Sequence, residues 1–167
     1  MTTEAIIRLI ADGMVIPIVL IAAYVLLTKV PKGRRIYAYS RIILAGLTAF
    51  LFAKLIGTVY QPELMRPFET LGVDPGASFL DNPGFPSDHM LFVTAIVCAV
   101  WAETRMKKTT LVLAAMALLV GVGRILALVH TPADVIGGVL IAMLGALWYS
   151  NIPRSERRKH RHGKSNH

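Results

Sequence analysis

Two segments of this chain carry residues whose types and spacing suit chemistry: Pro86-Ser87-Asp88-His89 and Arg124-x5-His130-x3-Asp134. Each contains an imidazole, the side chain that titrates nearest neutrality, among groups that bind or orient anions. One imidazole follows a hydroxyl and the other lies between an arginine and a carboxylate. Both segments adjoin apolar stretches, so the pairing points to phosphate chemistry on a lipid. Of the five histidines, His160, His162 and His167 fall in a basic tail, which leaves His89 and His130 to be explained.

Helix starts must position these residues. Pro86-Ser87-Asp88-His89 immediately precedes an apolar run, with Ser87 suited to the N-cap and Asp88 to the first-turn dipole. Thr131-Pro132-Ala133-Asp134 repeats the arrangement, with Thr131 as N-cap, Pro132 first in the helix and Asp134 completing a capping box. Two helix N-termini then open on one side, and their free backbone N–H groups suit an oxyanion. For Asp88 and Thr131, capping accounts for the residue by itself; for Ser87 and Asp134, capping and function are compatible.

The wider composition puts these helices in a membrane. Of 167 residues, 54% are hydrophobic and 17% charged, and mean hydropathy is +0.57. Apolar runs over residues 13–28, 39–60, 90–102, 110–129 and 133–149 approach the ~20 residues needed to span a bilayer. The third is short, which suits a span that begins in the interface or is shared with protein-lined space. The segment 2–12, with Ile6, Ile7, Leu9 and Ile10, reads as an interfacial turn or an extension of the first helix. Its Glu4, Arg8 and Asp12 argue against a secretory leader. The single cysteine, Cys98, excludes an internal disulfide and a cysteine-based zinc site. The expected architecture is an all-α integral membrane bundle of about five helices, with a transmembrane domain over 1–153 and a basic cytoplasmic tail over 154–167.

The net charge of +8 is distributed by topology. Lys29, Lys32, Arg34, Arg35 and Arg41 surround the first connection, and Arg105, Lys107 and Lys108 fill the third. Arg154, Arg157, Arg158, Lys159, Arg161 and Lys164 follow the last run, whereas Glu63, Glu69, Asp74, Asp81 and Asp88 make the second connection acidic. Basic loops stay cytoplasmic, so the acidic connection and both histidine segments face outward. The basic side then meets anionic inner-leaflet lipid, at about 1 kcal/mol per well-placed cation. Nucleic acid is not an expected partner, because no recognition module or interleaved aromatic pattern accompanies these charges. Lys54 and Arg124 lie late in apolar runs, where a cation either snorkels to the headgroups or faces a polar cavity.

Together these residues resemble the type 2 phosphatidic acid phosphatase superfamily. Its pattern is Lys, then Arg-Pro, then Pro-Ser-Gly-His, then Ser-Arg-x5-His-x3-Asp. The chain has Lys54, Arg66-Pro67, Pro86-Ser87-Asp88-His89 and Gly123-Arg124-x5-His130-x3-Asp134 in that order. Eleven residues separate Lys54 from Arg66 where the family has six, Asp88 replaces the glycine of the second motif, and Gly123 replaces the serine of the third. Asp88, with Arg66-Pro67-Phe68, is similar to the undecaprenyl pyrophosphate phosphatases linked to bacitracin resistance. The family commonly has six spans.

The resemblance implies a division of labour. Lys54, Arg66, Ser87 and Arg124 bind the phosphoryl oxygens, and His130 attacks phosphorus with its tautomer set by Asp134. His89 protonates the leaving oxygen. No metal or other cofactor is called for. The implied substrate is undecaprenyl diphosphate, with phosphatidylglycerophosphate or phosphatidic acid as alternatives. A lipid-binding membrane protein or a small transporter is the non-enzymatic alternative. The acidic connection, punctuated by Gly72, Pro75, Gly76, Pro83 and Gly84, reads as an irregular lid, and its aromatic residues Tyr60, Phe68, Phe79 and Phe85 suit either a lipid portal or interfacial anchoring. Oligomeric state is not legible.

Overall fold

The structure, a computed structural model, describes residues 2–61, 65–82 and 84–151. The basic tail over 154–167, Glu63 and Pro83 lie outside the described residues. All regular structure among the described residues is helical: α1 (Thr3–Arg8), α2 (Val15–Lys29), α3 (Arg35–Val59), α4 (Pro67–Leu71), α5 (Asp88–Thr104), α6 (Lys107–Leu126) and α7 (Pro132–Gly145). A π-helical turn, Leu9–Gly13, joins α1 to α2, so the N-terminal segment extends the first helix. The stretches Thr3–Lys29, Lys32–Val59, Lys107–Leu126 and Pro132–Ser150 are each long and apolar enough to cross a membrane.

The fifth expected span is α5, whose 17 residues make it shorter than those four. It survives as a short helix because it is the central element: α2, α3, α6 and α7 all pack against it. Val93, Val100, Leu113 and Val120 are fully enclosed between α5 and α6. Large apolar residues such as Ile16, Leu20, Leu51, Leu111 and Leu140 instead point outward, as the lipid-facing surface of an integral membrane protein requires. On α3, Ala38, Ala45, Ala49 and Ala53 form a buried small-residue stripe. A Cβ at Gly145 would meet the Ala45 carbonyl and lie 2.9 Å from Ala49 Cβ, so the α3–α7 crossing depends on small side chains.

Polar clamps complete the bundle at both ends. Glu103 of α5, fully enclosed, receives two hydrogen bonds of 2.9 Å from Arg41 of α3. At the opposite end, the acidic connection is docked rather than loose. Phe68 N–H donates to the Leu128 carbonyl and Gly76 N–H to the Ala127 carbonyl, each at 3.0 Å. The connection also contains α4, which begins at Pro67 and stops at Gly72 with φ +65°. The expectation of an irregular lid is therefore corrected for this stretch, because Glu69 folds back to accept the Arg66 N–H at 2.6 Å and starts a helical turn.

Candidate active site

The connection between α6 and α7 is what brings the third motif into register. Arg124 is the last basic residue of α6, and Leu128 takes a left-handed conformation with φ +59°. That conformation costs a non-glycine residue about 1 kcal/mol, and it reverses the chain so that His130 returns toward Arg124. Thr131 then caps α7. Its hydroxyl accepts the Asp134 N–H at 3.3 Å while Asp134 Oδ2 accepts the Thr131 N–H at 2.8 Å, the reciprocal box expected from Thr131-Pro132-Ala133-Asp134. The same Oδ2 lies 3.5 Å from His130 Nδ1, so the capping carboxylate also faces the imidazole. Nδ1 is left at the edge of hydrogen-bonding range, with the opposite ring nitrogen, Nε2, directed away from Asp134.

The second motif reaches this point through α5. Ser87 N–H donates to the Asp134 carbonyl at 3.0 Å, fastening the start of α5 to α7. Gly138 makes that approach possible, since a Cβ there would lie 2.6 Å from the Ser87 carbonyl oxygen and 3.0 Å from Leu91 N. Ser87 occupies the N-cap position, but its hydroxyl makes no cap bond. That corrects its expected capping role: the Oγ is enclosed without a partner among the described residues. Asp88 opens the helix and is claimed by two neighbours, Lys54 Nζ at 3.2 Å and Asn82 Nδ2 at 3.4 Å.

A cavity of about 350 Å³ opens where these elements meet, and Arg66, Asp88, His89, Arg124 and His130 all line it. Arg124 is 1% exposed, and its Nε has no partner among the described residues. Arg66 is committed differently. Its Nη1 donates to the Val129 carbonyl at 2.7 Å, and its Nη2 donates to the Leu80 and Asn82 carbonyls at 3.1 Å and to Asn82 Oδ1 at 3.0 Å. It staples the acidic connection to the residue preceding His130 while presenting one side to the cavity. Lys54 stays off the cavity wall, with a side chain 45% exposed and tied to Asp88. Ser87 and Asp134 stand behind that wall, and Asp134 reaches an adjoining cavity of about 380 Å³ that shares Arg66, Asn82 and Gly84.

Burial sets the electrostatics of His130. Its imidazole is held below the ordinary histidine range, chiefly by desolvation and further by the cations Arg124 and Arg66, against the opposing pull of Asp134. At neutral pH it is therefore an uncharged ring with an available lone pair. Arg124 and the backbone N–H groups at the start of α5 supply positive potential at the cavity.

Several contributors were not legible as site residues. Asp12 accepts Arg124 Nη1 at 2.7 Å and lies 3.8 Å from His89 Nε2. Its signal in the chain was an acidic residue at the threshold of an apolar run, a costly placement unless a cation meets it. Asn82, the joint partner of Arg66 and Asp88, carried no motif. An apolar groove of about 280 Å³ was equally hidden. Above the contact of the Tyr39 hydroxyl with the Leu26 carbonyl, α2 and α3 pack on α5 rather than on each other, and Ala22, Ala23, Gly46, Ala95 and Ala99 leave the space between them open. Phe92 lines both this groove and the polar cavity. Of the four aromatic residues in the acidic connection, Phe79 lines the cavity and packs at a tilt against Phe68, whereas Tyr60 packs edge-on against Phe85.

Comparison with known proteins gives the chain a family. The PAP2 superfamily profile matches residues 33–158. The bacitracin transport permease protein BcrC of Bacillus licheniformis is 32% identical over 127 residues, covering 73% of this chain and 58% of the relative. The chain thus spans little more than half the length of that relative. No solved structure gives a significant match.

Proposed function

The chain belongs to the PAP2 superfamily, and from that premise and the geometry of the cavity we propose that it is a membrane lipid phosphatase working through a phosphohistidine. The observation that carries the reading is His130: an uncharged imidazole backed by Asp134 and sharing one cavity with Arg124 and His89. In this reading, Nε2 of His130 attacks phosphorus. A P–N bond forms as the P–O bond to the leaving group breaks, the anhydride bond of a lipid diphosphate or the ester bond of a lipid monophosphate, and His89 gives its proton to the departing oxygen. His89 then takes a proton from water, which attacks the phosphohistidine, releases inorganic phosphate and restores His130. Arg124 stabilises the charge gathered on the phosphoryl oxygens, helped by the Ser87 hydroxyl and the α5 N-terminus. Lys54 contributes only after leaving Asp88, and Arg66 acts mainly by holding the wall.

The substrate class we favour is a polyprenyl diphosphate, with undecaprenyl diphosphate converted to the monophosphate and cell-wall carrier recycling as the role. Two features support it. The relative's name refers to bacitracin. The apolar groove between α2 and α3 shares Phe92 with the polar cavity, which suits a long hydrocarbon chain lying beside its headgroup. We place the cavity on the outer face of a bacterial cytoplasmic membrane, from the basic connections at the other end, and take 1–153 as the catalytic domain. Phosphatidylglycerophosphate and phosphatidic acid are the competing substrates.

The test is phosphate release by purified protein in detergent from undecaprenyl diphosphate and from phosphatidic acid, with and without excess chelator. His130→Ala is expected to abolish turnover. Activity that persists in this variant overturns the mechanism, and loss with chelator overturns metal independence. A preference for phosphatidic acid overturns the substrate.

A further inference from the structure

Asp12 lies outside every motif, yet its carboxylate touches three parts of the cavity wall. Oδ1 accepts Arg124 Nη1 at 2.7 Å and stands 3.8 Å from His89 Nε2, while Oδ2 accepts the Ser78 N–H at 2.9 Å. Ser78, His89 and Arg124 line the cavity, and Asp12 is behind them. The π-helical turn Leu9–Gly13 supplies the placement, because its wider winding shifts the direction of Asp12 relative to the helices on either side. Gly123 makes room for that turn: a Cβ there would meet Ala11 N at 2.9 Å, Ala11 Cα at 3.0 Å and Ile10 Cγ2 at 3.0 Å. The departure at Gly123 and the carboxylate at Asp12 are thus two halves of one arrangement. A larger residue at 123 displaces the turn that carries the acid.

We infer that Asp12 is a positioning residue of the phosphoryl-transfer site, holding Arg124 by one nitrogen and supporting His89 as proton donor; the inference rests on the phosphatase reading above. Arg124 is enclosed and its Nε has no partner among the described residues, so a carboxylate on a single Nη anchors one corner of the guanidinium and leaves donors for the phosphoryl oxygens. At 3.8 Å from His89 the same carboxylate is too distant to hydrogen-bond but close enough to counter part of the repulsion between Arg124 and a protonated imidazole. Each imidazole thus has a carboxylate beside one ring nitrogen, Asp12 at His89 Nε2 and Asp134 at His130 Nδ1.

The experiment compares the full chain with Asp12→Asn, Gly123→Ala and His89→Ala in detergent, on a lipid phosphate with an aliphatic leaving group and on p-nitrophenyl phosphate, whose leaving group needs no proton. Asp12→Asn keeps the size and removes the charge. It is expected to lower kcat on the lipid phosphate by about 10-fold more than on the aryl ester, a fraction of the roughly 10²–10⁴-fold that a positioned acid contributes. Gly123→Ala should reproduce that ratio, and adding Asp12→Asn to His89→Ala should leave the ratio where His89→Ala alone puts it. Equal losses on both substrates would show that Asp12 gives His89 no support as proton donor and overturn the inference. A raised kcat with lowered KM would also overturn it, by making Asp12 an anionic plug. If wild type releases no phosphate, or His130→Ala matches wild type, the phosphatase reading fails. If wild type is active and dependent on His130 while the ratio stays fixed, only the role of Asp12 fails.

Discussion

Replacing Gly138 with alanine adds one methyl group where α7 crosses the start of α5, and the consequence can be worked from distances. The new Cβ would lie 2.6 Å from the Ser87 carbonyl oxygen, 3.0 Å from Leu91 N and 3.0 Å from Met90 Cβ. Two of these are backbone atoms that no rotamer change can withdraw. To reach ordinary van der Waals contact the two helices must separate by roughly 0.8 Å, and overpacking of this kind costs about 1 to 3 kcal/mol. The intrinsic gain of alanine over glycine in a helix, about 1 kcal/mol, offsets part of that. Function is expected to suffer more than stability. α5 carries His89 while α7 carries Asp134, and the Ser87–Asp134 backbone bond of 3.0 Å is adjacent to the inserted methyl. Displacement of reacting groups on the ångström scale costs about 10²-fold in rate. The expected result is a protein that folds with a modestly lowered Tm in detergent and turns over about 10²-fold more slowly. Gly46→Ala, where a Cβ meets nothing within 4 Å, serves as the stability control and should hold or raise Tm. Wild-type turnover and Tm in Gly138→Ala would refute the close α5–α7 crossing as the device that aligns the two motifs.

Arg66→Lys keeps the charge but loses the fork that reaches Val129, Leu80 and Asn82, so thermal unfolding in detergent should report a loss of about 3 kcal/mol. Because desolvation depresses the His130 proton affinity, the acidic limb of kcat/KM should fall below the ordinary histidine value of about 6.5 in a pH–rate profile. The sign for stability follows: an unfolded chain binds that proton more readily, so the folded state loses stability as pH drops below about 6.5 toward the depressed value. Asp81→Cys in a Cys98→Ala background, at an exposed position of the acidic connection, should react with an impermeant thiol reagent from outside intact cells. Reaction only after lysis would reverse the orientation.

What was legible from residues alone were local features. Apolar runs implied the spans because hydrocarbon admits few backbone solutions. The Thr131-Pro132-Ala133-Asp134 box appears as expected, since all its bonds lie within four residues. The His130–Asp134 pairing is equally local, one helical turn apart. The residues that only tertiary structure placed act across long separations. Asp12 meets Arg124 from 112 positions away, because the π turn finds the bare backbone of Gly123. Arg66, recognisable as a cation beside a proline, donates to carbonyls brought to it by the docking of the acidic connection while still lining the cavity. Lys54 is drawn aside by Asp88, 34 positions on. A sequence displays the capacity of a charged side chain to bind an anion. Whether that capacity remains free depends on which neighbours the fold brings within about 3 Å, and those neighbours are chosen by helix packing rather than by spacing along the chain.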